Sequence, residues 1–528
     1  MSAKKNITQP LVPTYYLILL VFSCIPAVNF IAFNISESDF SVTRTLFYFL
    51  LIASFGFCFV WLIFHVTPSV SREFLALFYG LFIFVTFNGY MIDQFVFESL
   101  NNLTGITPRI RHVLLLYTLL VGICAALSLL ISKSREFTTI VLAGFGVMLL
   151  LDVVNIGNSM IKLNNNYTKT EIEPISKYKA DFLNEKSKDA TAKPNVYFIL
   201  PDMMFGQNMF AKYGLNKNIL DGIRGKGFVS VNNAYANGPV TFFSLPHIFG
   251  MEYYLSHGDI ISKEQLHGEI VKIFGQGNRV YSEFRKRGYK IYALDDGYLP
   301  SNCNIGEDRC ITNTVKKLQN EQDYRFLERT PLIKTLDVID MKFNIFSEPM
   351  NLWAYPNRSE IPDLLPKFPT TEEGPFFFYI HVGLPHYPLR FNADCEYSRY
   401  TDTATAYAEQ YKCAVKYIEL IIDKILESDD NPLVVIHSDH GVAIHNQHLK
   451  QVEELEYDEI QEVLSIYSAF RLPTECQAYL RDGLSPVNTF RIIFACLDNR
   501  KPELLEDRQF VVFYPKWPSG GKVREWEP

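Results

Sequence analysis

The chain has 528 residues, enough for two or more domains, with 48% hydrophobic and 20% charged residues and a formal net charge of −7. This balance, with no basic stripe interleaved with aromatics, argues against a nucleic-acid partner. The apolar residues are concentrated in the first third, which points to a membrane rather than a wholly water-soluble protein.

Five apolar segments run over about Tyr15 to Phe33, Leu46 to Val66, Phe74 to Val96, Val113 to Ile131 and Thr138 to Val154. Each is close to the ~20 residues that cross a ~30 Å hydrocarbon core, so residues 1–160 are expected to form a five-helix membrane domain. The first segment does not read as a cleaved signal peptide, because it is long, lacks a small-residue cleavage site and is followed by more spans. Lys4, Lys5, Arg72, Lys133 and Arg135 would lie inside, against Arg44, Arg109 and Arg111 outside. Five spans then put the remainder outside the cytosol. Asp93, Glu98 and Asp152 fall near the outer ends of spans, as solvated interfacial acids or as the rim of a lipid head-group entrance. Residues 161–193 are polar and charged and read as an interfacial helix and tether.

From Pro194 to residue 528 the pattern becomes that of an α/β domain with a mainly parallel sheet. Buried strands are expected at Asn195 to Leu200, Lys290 to Leu294, Phe376 to His381 and Leu433 to His437, with a helix over Ala404 to Leu426. Ligands in such folds bind at the carboxyl ends of strands, and Asp202, Asp295, His381, Asp439 and His440 all fall there. In Asp439-His440-Gly441 an acid and an imidazole can reach one divalent cation, with glycine allowing a sharp turn beside them. The six cysteines of this part suggest disulfides in an oxidising compartment. Proximity favours Cys303–Cys310 and Cys395–Cys413, which leaves Cys476–Cys496.

Asn237-Gly-Pro is a turn signal, and Thr241 follows it at the head of an apolar run. A hydroxyl there is either a helix cap or a nucleophile activated by a cation, with Ser244 as the rival hydroxyl.

In order and motif, Asp202, Thr241-Phe-Phe-Ser244-Leu-Pro-His-Ile-Phe249, Pro385-His386-Tyr-Pro388 and Asp439-His440 resemble the alkaline phosphatase/sulfatase superfamily. More narrowly they resemble the membrane-bound phosphoethanolamine and phosphoglycerol transferases of bacterial envelopes. Ala293-Leu-Asp-Asp296-Gly with Cys303 and Glu307-Asp-Arg-Cys310 is similar to their Asp-Asn-rich loop with its cysteine pair. The resemblance implies a sulfatase-like domain after five transmembrane helices, in the inner membrane with the catalytic domain periplasmic. It implies that Asp202, Thr241, Asp439 and His440 hold a divalent metal, zinc by resemblance and manganese by donor chemistry. It implies that Thr241 is the nucleophile and that His386 and His448, with His445 as runner-up and His381 as a further candidate, bind the substrate phosphate. The partners would be a phospholipid donor and an envelope glycan or lipid acceptor, served by a monomer. Val442 stands where the family has an acid, and Met203 where a second acid often follows, which favours one metal over two. A formylglycine sulfatase would need Cys/Ser-x-Pro-x-Arg, which Thr241-Phe-Phe-Ser-Leu lacks. The alternatives are a phosphodiesterase or phosphatase on the same fold, and an inactive membrane-anchored binding protein.

Overall fold

The computed structural model describes residues 13–34, 41–88, 92, 110–169, 193–261, 278–294, 308–311, 322, 326–327, 329–330, 361–371, 374–387, 389–398, 400, 402–444, 447, 450–513 and 521–528. The chain divides into two compact units. Residues 1–165 and 321–354 form one, and residues 166–320 and 355–528 the other.

The first unit is helical, with α1 (Thr14–Asn34), α2 (Val42–Val66), α3 (Arg72–Phe87), α4 (Ile110–Ile131) and α5 (Arg135–Lys169). Ser41 and Ser71 cap α2 and α3, each side chain accepting a backbone N–H of the first turn. Among the described residues, three stretches are long and apolar enough to cross a membrane: Thr14–Ala32, Val42–Val66 and Arg135–Ile161. The expected spans at 74–96 and 113–131 fall on α3, which has 16 residues, and on α4, whose described apolar part is Leu115–Ile131. Leu50, Phe55 and Trp61 on α2 and Leu150 and Leu151 on α5 turn apolar side chains outward, as a lipid-facing surface requires and an aqueous one disfavours. Three residues from far along the chain pack into this unit. Gln322 bonds both backbone groups of Ser41, Phe326 stacks on Tyr48 with ring centroids 4.2 Å apart, and Arg329 donates to Asn29 Oδ1 at 2.8 Å. Asn29 also donates to Asp152, at 3.4 Å. Asp93 and Glu98 lie outside the described residues.

The second unit is built on a seven-stranded sheet. Its strands are β1 (Val196–Asp202), β2 (Val229–Ser230), β3 (Lys290–Leu294), β4 (Arg309–Ile311), β5 (Phe376–Pro385), β6 (Leu433–His437) and β7 (Ser468–Arg471). The order is β2-β7-β6-β1-β5-β3-β4. Pairing is parallel from β6 to β4, and only β7 runs antiparallel to its neighbours β6 and β2. The central strands are apolar without alternation because both faces are covered: every residue of β1 and β6 is buried. One face packs under α6 (Thr241–Gly250), α7 (Arg279–Lys286) and α10 (Thr489–Leu497), where Phe198, Phe377 and Tyr379 meet Phe249, Phe284 and Phe490. The other face carries α8 (Thr403–Ser428), N-capped by Asp402. A shorter helix, α9 (Tyr457–Leu464), precedes β7. The disulfides Cys395–Cys413 and Cys476–Cys496 are present as expected. Cys310 is also disulfide-bonded, and Cys303 lies outside the described residues.

Candidate active site

Alternation along three adjacent strands assembles the site. On β1, Phe198 and Leu200 face the α6 side, and the next residue in that register is Asp202. On β5 the same face carries Phe377, Tyr379 and then His381, which lies within the strand, short of its end at Pro385, rather than at the expected strand end, and beyond β6 the series Val435, His437 ends at Asp439. The side chains therefore emerge together at the carboxyl end of the sheet. Asp202, His381 and Asp439 each present a ligand atom within 4.8 Å of the other two, and all three are buried.

Thr241 is the first residue of α6, and the N-cap is Val240, which has no side-chain oxygen to offer. The Thr241 hydroxyl is not spent on capping. It donates to Asp439 Oδ2 at 2.7 Å and lies 3.5 Å from His440 Nε2. Ser244, the rival, is fully buried, and its Oγ has no hydrogen-bond partner among the described residues.

His440 Nδ1 is 2.7 Å from the Gly441 carbonyl, so it donates there and Nε2 faces inward. That Nε2 is 3.5 Å from Asp439 Oδ2 and 3.6 Å from Asp202 Oδ1. Asp439 Oδ1 is held from behind by the N–H groups of Met203 (3.1 Å) and His440 (2.8 Å), which leaves Oδ2 to face the site. Burial alone would raise the Asp439 carboxyl. His440, His381, the Thr241 hydroxyl and the Met203 N–H together outweigh burial and hold it below the ordinary range, so it is ionised.

Met203 adopts a left-handed backbone, φ 64°, uncommon for a residue with a side chain. That twist turns its N–H to Asp439 and its carbonyl to the Tyr407 hydroxyl. Ser438 Oγ accepts the Met204 N–H at 2.8 Å and donates to the His440 carbonyl at 2.9 Å. Sequence reasoning did not single out Tyr407 or Ser438. Their hydroxyls act on backbone groups, which leaves no signature in residue type.

Gly441 is needed for a reason other than a sharp turn with positive φ. A Cβ there would lie 2.2 Å from the Glu462 carbonyl and 2.5 Å from that of Ser465. The glycine admits the end of α9 against the site loop.

Of the expected phosphate-binding histidines, His386 is placed with its ring centroid 6.3 Å from that of His440, and its Nδ1 lies 2.9 Å from the Tyr387 carbonyl. His381 stacks near Tyr379 and lies 3.7 Å from Asp202 Oδ2, among the carboxylates. His448 and His445 lie outside the described residues, as do Asp295, Asp296 and Glu307.

The donors fit a divalent cation. Asp202 Oδ1 is buried without a hydrogen-bond partner among the described residues, 3.6 Å from His440 Nε2 and in one cluster with the Asp439 carboxylate. Two buried carboxylates this close are costly unless a positive charge lies between them.

The sulfatase family model matches residues 194–468, just over half of the chain. The chain belongs to the sulfatase family. Several solved structures are similar. The integral membrane lipooligosaccharide phosphoethanolamine transferase A of Neisseria meningitidis is 14% identical, covering 92% of this chain and 95% of that one, with a TM-score of 0.40. The C-terminal periplasmic domain of phosphoethanolamine transferase EptC of Campylobacter jejuni is 12% identical over 60% and 97%, with a TM-score of 0.35. Ps i-CgsB, solved with k-i-k-neocarrahexaose, is 16% identical over 61% and 80%, with a TM-score of 0.39. No curated protein matches the chain.

Proposed function

We propose that this sulfatase-family chain is a transferase that moves a phospho-alcohol head group, phosphoethanolamine foremost, from a membrane phospholipid to a hydroxyl of an envelope glycan or lipid. The observation that carries the reading is the Thr241 hydroxyl, uncommitted to capping and 2.7 Å from an ionised, buried carboxylate at the mouth of the sheet. Asp202, Thr241, Asp439 and His440 would hold a divalent metal, zinc or manganese. Such an ion lowers the pKa of a bound hydroxyl and neutralises phosphate charge. Asp439 Oδ2 orients the hydroxyl for in-line attack. The Thr241 Oγ–P bond forms as the P–O bond to diacylglycerol breaks, the threonine proton leaves by way of its acceptor Asp439 Oδ2, and the diacylglycerol oxygen takes up a proton from water. His386 and His448 bind the phosphate oxygens. In the second step the acceptor hydroxyl attacks phosphorus, releases Thr241 and loses its proton to the site.

An apolar helical unit suits a donor that stays in the bilayer. In this reading it spans the bacterial inner membrane five times, and the sulfatase domain faces the periplasm. The motif at Thr241 lacks the Pro and Arg that a formylglycine sulfatase requires, so sulfate-ester hydrolysis is not the reading. The test is incubation with phospholipid labelled in the head group. Label on the Thr241 peptide that later appears on a glycan or lipid supports transfer. Label found only as free head group favours a hydrolase. No label on Thr241 at any time overturns the covalent route.

A further inference from the structure

Of the buried acids of this unit that lie outside the ligand set, Glu462 is the one whose own backbone carbonyl bonds the segment directly after His440. Glu462, on α9, is fully buried, yet it sits in a helix otherwise packed by Ile460, Val463 and Leu464. Its carboxylate accepts from the Tyr213 hydroxyl and from Gln447 Nε2 (2.7 Å), and pairs with Lys212 at 3.1 Å. A well-packed apolar residue often serves stability as well as a buried ion pair does, so the partners of the acid are the informative part.

The backbone of Glu462 and two of its partners, Gln447 and Tyr213, lead to the candidate site. The backbone carbonyls of Glu462 and Val463 accept the N–H groups of Val442 (3.0 Å) and Gly441 (2.8 Å), directly after His440. Gln447 stands in sequence between His445 and His448. Carbonyl and carboxylate of one residue therefore grip the segment after Asp439-His440 at both ends. The Tyr213 ring lies 4.7 Å from Phe205 and 5.5 Å from Tyr407, whose hydroxyl bonds the Met203 carbonyl, and Met203 in turn holds Asp439.

We infer that Glu462 is a positioning residue: through its backbone carbonyl, Gln447 and Tyr213 it fixes Val442 and Gln447, after Asp439-His440, and the strained Met203 turn in the geometry that group transfer needs. The inference rests on the transferase reading above for its kinetic part, while its structural part stands independently. Glu462 touches no reacting atom.

The experiment is a charge swap in the full-length, metal-loaded protein. Gln447→Glu sets two carboxylates face to face. Glu462→Gln combined with Gln447→Glu restores one donor and one acceptor, and the carbonyl oxygen of the introduced amide stays open to Tyr213. Three readouts are taken: the rate of phospholipid-dependent labelling of Thr241, metal content, and amide hydrogen exchange over residues 441–450. Gln447→Glu is expected to slow labelling by about tenfold to a hundredfold, as misplacement of site groups does, and to speed exchange at unchanged metal content. The double variant is expected to return both to within about threefold of the parent, a recovery that general destabilisation would not give. Labelling and exchange unaffected by Gln447→Glu overturn the inference, as does a folded, metal-loaded double variant that shows no recovery. If the parent protein never labels Thr241, the transferase reading fails, and hydrogen exchange alone still decides whether Glu462 holds the segment.

Discussion

Thr241 Oγ1 donates to Asp439 Oδ2 across 2.7 Å, joining residues 198 positions apart in sequence. This bond aims the threonine oxygen and commits its proton before any substrate arrives. Thr241→Ala is expected to remove phospholipid-dependent turnover by on the order of 10³-fold or more, as loss of a nucleophile does. Thr241→Ser should keep a measurable fraction, because the hydroxyl and its acceptor remain. Turnover assays of both variants, with mass analysis of the peptide carrying position 241 after incubation with phospholipid, check this. A fully active Thr241→Ala protein would refute the assignment.

Much of this site was legible in the sequence because its parts lie at strand ends. Asp202 closes β1 and Asp439 follows directly on the end of β6, so the strand pattern that located the sheet also located these donors, whereas His381, expected at a strand end, lies within β5, which runs on to Pro385. The role of Met203 was not legible. Its side chain suggested only a missing acid, whereas its contribution is a left-handed backbone that turns an N–H to Asp439. Glu462 was hidden for another reason: its partners Tyr213 and Gln447 come from remote segments, and nothing in the order of residues says that α9 ends against Gly441. The count of membrane spans was less firm than the sheet, because apolar runs near 16 or 17 residues suit either a short span or a buried helix.

Gly441→Ala tests that close approach. The added methyl would meet the backbone carbonyls of Glu462 and Ser465, which cannot rotate away as a side chain could. The loop carrying Asp439 and His440 should shift, with a stability loss of about 1–3 kcal/mol from overpacking. Weaker metal binding should accompany it. Chemical denaturation and metal titration of the variant measure the two effects, and parent-like values for both would show that the loop can yield there.

His247 on α6 gives a pH signature. The ring is buried, near Phe510 with centroids 6.0 Å apart, and burial pushes its pKa down from 6.5 to about 4. The native protein therefore keeps it neutral while the unfolded chain takes up a proton first. Its contribution to stability is fully present above about pH 6.5 and is lost as pH falls towards 4, with an upper bound on the order of 3 kcal/mol. His247→Gln, whose carbonyl can still accept the Tyr254 N–H that His247 Nδ1 now meets at 3.1 Å, should flatten the stability profile in that window. Unfolding midpoints at about pH 4.5, 5.5 and 7 compare the two proteins, and parallel profiles would contradict the assignment.

Removing the metal should expose the cost of gathering the donors. Asp202 and Asp439 are both buried and share one cluster with His381 and His440. Chelation is then expected to lower the unfolding temperature, and zinc or manganese to restore it. A ligand at about 1,000 times its Kd contributes about 4 kcal/mol when it binds only the folded state. Asp202→Asn removes one charge, so this variant should bind metal more weakly yet lose less stability on chelation than the parent, because the repulsion relieved by the ion is already reduced. That opposite movement of affinity and apo-stability separates a metal-holding carboxylate from one that merely supports the fold. Elemental analysis and thermal unfolding with and without chelator measure it. A parent protein that carries no divalent ion and whose unfolding is indifferent to chelator would remove the metal from the proposed function.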